Sequence, residues 1–174
     1  MDAQQLRALQ APLKAAYKED PARAMITMRA TGTLDSNDIT CHLDIDRTAA
    51  VSGLHPAAGG SGAELCSGDM LLEALVGCAG VTLKAVATAM GITFKKARVI
   101  AEGECDFRGT LGIDKSVPVG FQAIRLTFDI DTDAPQEQIN QLIKLSERYC
   151  VVYQTLMRAP PIAVGRNETD TEQR

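Results

Sequence analysis

Tryptophan is absent, and aromatic residues make up only 4% of the 174-residue chain. A base-stacking surface for single-stranded nucleic acid needs more aromatic faces than that. Positive charge is in deficit too. Eighteen Lys and Arg stand against 22 Asp and Glu, for a net charge of −4 and a pI near 5.2. Without clustered cations to neutralise phosphates, nucleic acid is not an expected partner. There are two histidines, His42 and His55, and no CxxC or HExxH pattern. No metal and no cofactor is therefore expected. Long hydrophobic runs are missing: the apolar window Met70 to Met90 is broken by Glu73 and Lys84, leaving ten uncharged residues. A bilayer span needs roughly 18 or more. The first twenty residues lack the basic start and apolar stretch of a signal peptide. The expectation is a soluble, cytoplasmic protein without a membrane partner.

What is present fits an ordinary globular domain, with 45% hydrophobic and 23% charged residues. At roughly 100–200 residues per domain the length predicts one domain. Residues 1–24 read as a helical extension carrying Leu6, Leu9, Leu13 and Tyr17, closed by Asp20-Pro21. Residues 25–166 read as the domain proper and 167–174 as a polar tail. Met25 to Thr33 and Ile39 to Ile45 predict a strand pair around the turn residues Asp35 to Asp38. HPAAGGSG, from His55 to Gly62, predicts a loop. Gly68 to Met90 predicts a helix apolar nearly all round, hence buried nearly all round, with Ser67 and Asp69 as candidate N-caps. Ala97 to Phe107 and Phe121 to Asp131 alternate as strands, with the loop Gly109 to Gly120 between them. Asp133 to Gln136 resembles a capping box opening a helix that runs to Tyr149. Val151 to Met157 predicts a short helix, and Ile162 to Val164 a last edge strand. Loop-joined strands and separate helices give an α+β class with antiparallel sheets.

Five cysteines at wide, unequal spacing do not form a secreted disulfide pattern. Cys41 and Cys105 fall on the apolar faces of their strands and read as small buried hydrophobes. Cys66 reads as a surface or capping-region thiol. Cys78 sits between Gly77 and Gly80 in the apolar helix. Those glycines serve equally a close helix–helix contact or a ligand approaching the sulfur. Cys150 lies between two helical stretches, where free N–H groups and the nearby Arg148 would lower a thiol pKa.

Two segments carry a family resemblance. Ser67-Gly68-Asp69-Met70-Leu71-Leu72-Glu73-Ala74-Leu75-Val76-Gly77-Cys78 and the cysteine before the short C-terminal helix, Cys150, resemble the OsmC/Ohr family of cysteine-based peroxidases. The similarity runs from about Met25 to Val164. It implies an α+β fold of antiparallel sheets around a long buried central helix, in an intertwined homodimer with sites at the subunit interface. It also implies a thiol-dependent peroxidase in stress defence. Cys78 would attack an organic hydroperoxide, Cys150 would close a disulfide, and an external dithiol would reduce it. The family's thiolate-stabilising arginine and its acid partner map to Arg29 and Asp69. Three positions depart from the organic-hydroperoxide branch. Gly68 then Asp69 stand where that branch has a glutamate, Val151 follows the second cysteine where proline is common, and no tight motif surrounds Arg29. The alternative these departures favour is a non-catalytic OsmC-like protein that binds a small molecule or a thiol ligand.

Overall fold

The computed structural model describes residues 2–19, 31–34, 40–44, 50–112 and 114–165. Arg29, the first part of the predicted strand Met25 to Thr33, the turn Asp35 to Asp38 and the polar tail from Asn167 lie outside the described residues. Helix α1 spans Ala3–Glu19. Strands β1 (Thr31–Leu34), β2 (Thr40–Asp44) and β3 (Ala50–Gly53) pair antiparallel in sequence order. Strand β4 (Leu65–Cys66) then joins β3 in parallel. A second sheet holds β5 (Lys96–Cys105) and β6 (Phe121–Asp131), antiparallel along their length. Helix α2 (Ser67–Met90) stands between the two sheets in sequence and packs on β5. The one-turn helix α3 (Phe107–Thr110) lies in the β5–β6 connection. Helices α4 (Gln136–Tyr149) and α5 (Val151–Met157) follow, both against α2. The class is mixed α+β, with antiparallel pairing everywhere except β3–β4.

The core is built on one stripe of α2. Leu75, Ala79, Leu83 and Ala87 are buried, and they recur every fourth residue. Leu83 and Ala87 meet Leu142 of α4 and Ile92, with Val99, Phe128 and Ile130 of the β5–β6 sheet around them. Leu75 and Ala79 meet Cys150 against Ala101, Ile124 and Leu126 of the same sheet. The inward faces predicted for β5 and β6 are thus the faces that pack.

Several local expectations are corrected. Helix α2 is not buried all round within one chain: Val81 is 73% exposed. Among the described residues it is the one helix long and apolar enough to cross a membrane by length and composition, yet its buried stripe lies on β5 and α4. Its N-cap is Cys66, not Ser67 or Asp69, and no side chain caps it. Asp69 instead lies in the first turn, where a carboxylate favours the helix dipole. The alternation of β5 stops at Cys105, because the Asp106 side chain accepts from the Arg108 N–H at 3.0 Å and starts α3. Helix α4 is entered through Pro135 rather than a capping box at Asp133. Strands β3 and β4 were hidden by their shortness. Ile162 to Val164 form no strand, and Ile162 and Val164 are 84% and 95% exposed.

Candidate active site

Cys78 projects from the middle of α2, and Cys150 is the hinge residue between α4 and α5. Cys150 serves as C-cap of the first helix and N-cap of the second. The 72-residue separation in sequence is closed by the fold, because α4 lies along α2 and delivers Cys150 to the Leu75–Ala79 end of the buried stripe. Leu142, Ser146 and Cys150 follow one another at four-residue steps, all buried. Cys78 packs on the same cluster as Cys150, Val152 and Tyr153. Cys150 is 1% exposed, whereas Cys78 is only half-buried. Cys78 is thus the less buried residue of the pair. Among the described residues Cys66, Cys78, Cys105 and Cys150 are all free thiols.

The electrostatics separate the two sulfurs. Burial works against a Cys78 thiolate, but the N–H of Val152, the Cys150 thiol, the N–H of Val151 and the Thr82 hydroxyl all favour it. The balance holds the Cys78 thiol below its ordinary value. At Cys150 burial again comes first and raises the thiol; the N–H of Tyr153, at 3.5 Å, opposes it, and the proximity of Cys78 raises it further. The expectation that the start of α5 and Arg148 would activate Cys150 is thus corrected. The N–H groups of Val151 and Val152 favour the Cys78 thiolate, that of Val152 favouring the Cys150 thiolate as well, and the Arg148 guanidinium sits 5.7 Å over the Tyr149 ring. Sequence reasoning missed the amides of Val151 and Val152 as groups acting on Cys78, since they arrive from a distant segment.

The glycines beside Cys78 do not serve a tight contact within the chain. A side chain at Gly77 would meet nothing within 4 Å, and one at Gly80 would only touch Val99 at 3.8 Å. Asp69 is exposed and stands nine residues before Cys78 in α2. At ~1.5 Å rise per residue this is about 13 Å along the axis, so one chain does not bring Asp69 to the Cys78 sulfur. Asp69 instead lines a separate cavity of about 280 Å³ with His55, Cys66, Cys105 and Phe121. The His55 ring stacks on Phe107 at 5.0 Å and its Nδ1 accepts from the Ala57 N–H. Cys105 is thus at a cavity wall rather than fully buried. Among the described residues no three His, Cys, Asp or Glu side chains gather closely enough to hold a metal ion.

A family model described as "OsmC-like protein" matches residues 60–165. The fold is similar to the crystal structure of an OsmC-like protein from Mycoplasma pneumoniae, with 19% identity, a TM-score of 0.63, and 77% of this chain and 89% of that one covered. It is also similar to an organic hydroperoxide resistance protein, OsmC, from Legionella pneumophila, with 14% identity and a TM-score of 0.58 over 78% and 91% of the two chains. An organic hydroperoxide resistance protein from Elizabethkingia anophelis matches with 16% identity and a TM-score of 0.56, over 78% and 90%. No curated protein sequence matches the chain.

Proposed function

The chain belongs to the OsmC-like family, and from that premise we propose that it is a thiol-dependent peroxidase of stress defence that reduces organic hydroperoxides. The observation that carries this reading is the asymmetric thiol pair: a partly buried Cys78 held below the ordinary thiol pKa, packed against a buried Cys150 whose thiol is pushed up. A nucleophile must be ionised and reachable; a resolving thiol must be close and protected until it is needed. Relatives of this fold are named organic hydroperoxide resistance proteins.

In the proposed reaction the Cys78 thiolate attacks the terminal oxygen of a hydroperoxide. The O–O bond breaks, the alcohol leaves with a proton, and Cys78 becomes a sulfenic acid. The Cys150 thiol then displaces the sulfenic oxygen as water, and a Cys78–Cys150 disulfide forms. An external dithiol restores both thiols by two exchange steps and leaves as its own disulfide. The apolar neighbours Leu75, Ala101 and Val152 suit an organic substrate better than hydrogen peroxide. Free thiols at Cys66, Cys78, Cys105 and Cys150 suit the reducing cytoplasm. The proposal includes a homodimer. Val81, Val151, Ile162 and Val164 are large apolar side chains left in solvent by a single chain, which supports it. Arg29 and Asp69 enter the proposal as the thiolate-stabilising arginine and its carboxylate partner. Since Asp69 is too far along its own helix, that pair would act across the dimer interface.

The test is peroxide-dependent oxidation of a dithiol by wild type, Cys78→Ser and Cys150→Ser, with an alkyl hydroperoxide as substrate. Turnover should be lost in Cys78→Ser. In Cys150→Ser a single oxidising event should leave a trapped sulfenic acid on Cys78, seen as a 16 Da mass increase (one oxygen, about 16 Da). Equal turnover in all three proteins would remove the mechanism.

A further inference from the structure

The cavity that Asp69 lines is walled on one side by Phe121. That ring lies against Gly103: a Cβ there would come within 2.5 Å of the ring carbon Cε1, so only glycine lets the ring sit on β5. The ring also reaches Gly68 at the start of α2. A carbon placed where a Gly68 side chain would begin lies 3.5 Å from Phe121 Cζ and 3.6 Å from Cys66 Sγ, ordinary van der Waals contact with both. The missing side chain leaves room for one carbon between a sulfur and an aromatic ring. Cys66, Gly68 and Phe121 line this cavity together with Leu72, Cys105 and Phe107. Its volume of about 280 Å³ falls just below the roughly 300–1,000 Å³ of pockets for drug-sized ligands, so it suits a small molecule. The polar groups narrow the class of that molecule. His55 also lines the cavity, its ring stacked on Phe107 with centroids 5.0 Å apart. Its Nδ1 accepts the Ala57 N–H at 3.0 Å, which in the neutral ring puts the proton on Nε2. The imidazole is therefore a fixed, neutral hydrogen-bond donor. No Lys or Arg lines the cavity and Asp69 does, which disfavours anions. A thiol, a neutral donor and aromatic walls without a cation fit a neutral electrophile that carries a carbonyl oxygen.

We propose that this cavity is a second thiol site, which captures small neutral α,β-unsaturated carbonyl compounds on Cys66. The Cys66 sulfur forms a bond to the β-carbon as the C=C π bond opens. The electron pair moves to the carbonyl oxygen, which accepts from His55 Nε2–H, and the thiol proton ends on the α-carbon. The product is a saturated thioether, and no oxidant or reductant is consumed. The site does not rest on the peroxidase reading.

The experiment is labelling of the intact protein by cyclohex-2-enone over a concentration series, with the rate at each cysteine read by peptide mass spectrometry. The Cys66 rate should level off as the enone is raised, because binding precedes bond formation. Cyclohexanone, the same ring without the reacting double bond, should slow Cys66 labelling by competition. Gly68→Ala fills the open carbon position at ordinary contact distance, and alanine is favoured over glycine in a helix. It should cut the Cys66 rate roughly tenfold or more, through lost positioning of the enone. A Cys66 rate that stays linear in enone and is indifferent to cyclohexanone overturns the proposal. So does an unchanged rate in Gly68→Ala, or labelling that favours Cys105 over Cys66. Circular dichroism reports the fold of Gly68→Ala; should that variant not fold, saturation and protection in wild type decide alone. The readout involves no peroxide, so its failure leaves the Cys78–Cys150 chemistry untouched, and loss of that chemistry leaves this site standing.

Discussion

Cys78 and Cys150 are chemically identical side chains that the fold makes unlike. Both feel the desolvation of the same cluster and both are favoured by two amides, yet the neighbouring sulfur acts in opposite senses: the Cys150 thiol favours the Cys78 thiolate, while Cys78 raises the Cys150 thiol. The linkage between protonation and folding follows from these directions. A thiol whose folded pKa lies below its unfolded one adds stability above the unfolded value, and that contribution is lost as pH falls through the folded value. Cys78 is such a group. Cys150, with its pKa raised, has the opposite sign: its contribution is present below the unfolded value and lost as pH rises through the folded one. Below the ordinary thiol range the Cys78 effect is the one that varies. Wild type should therefore gain stability relative to Cys78→Ser as pH rises toward that range. Denaturant midpoints of the two proteins, from about pH 6 to about pH 8, measure this. A constant difference, or one that shrinks with rising pH, would contradict the assignment of Cys78 as the depressed thiol. Both cysteines were legible from the sequence as a pair, through the family resemblance. The resemblance also assigned the attacking role to Cys78. What the residues alone did not display is the physical cause, because the start of α5 beside Cys150 pointed to that sulfur while the packing of Cys78 onto the same turn was hidden.

The elements that bring the pair together depend on size as much as on hydrophobicity. Along α2 the buried stripe alternates Leu75, Ala79, Leu83 and Ala87, so each leucine fills a gap and each alanine lets a neighbour come close. Ala79 is fully buried beside Cys150. Ala79→Leu should push α4 and the β5–β6 sheet away from α2, at a cost of about 1–3 kcal/mol for overpacking. It should also separate the sulfurs, slowing disulfide closure after one equivalent of hydroperoxide. Denaturant midpoints and mapping of the oxidised peptides check the two effects separately; a stable variant that closes the disulfide at the wild-type rate would refute this account of the stripe. Long periodic elements were legible for this reason: α2, β5, β6 and α4 each repeat a pattern over ten or more residues. The rest turned on short-range polar bonding or on pairing. Asp106 ends β5 by capping α3, although Phe107 continues the apolar alternation. The two-residue β4 exists only because β3 is beside it, with Ser52 opposite Leu65 in the register.

At the scale of the whole molecule, one chain leaves its apolar surface unfinished. Among the described residues the β5–β6 sheet has two strands, and a two-stranded sheet needs a packed face or further strands to be stable. Its inner face is covered by α2 and α4. The far side of α2 is covered only in part: α1 packs on the helix, yet Val81 stands 73% exposed and lines one cleft with Gln10 of α1 and the exposed Tyr149. The sequence predicted an α2 covered on every side, and the expectation fails because no second element among the described residues hides Val81. The C-terminal segment shows the same incompleteness, with Ile162 and Val164 predicted as a strand and found in no strand, exposed to solvent. Under the proposed homodimer a second copy supplies the missing cover, and a charge on that face would be forced into an apolar interface, where an unpaired carboxylate is costly. Wild type should sediment with twice the chain mass of 18.6 kDa, and Val81→Glu should shift the population toward the single chain. Because Val81 is in solvent within the chain, the substitution should leave the fold of the monomer intact, as its circular dichroism would report. A wild-type protein that sediments as one chain at every concentration would instead mean that α2 keeps its apolar far side in water, and the site would then have to work without a second subunit.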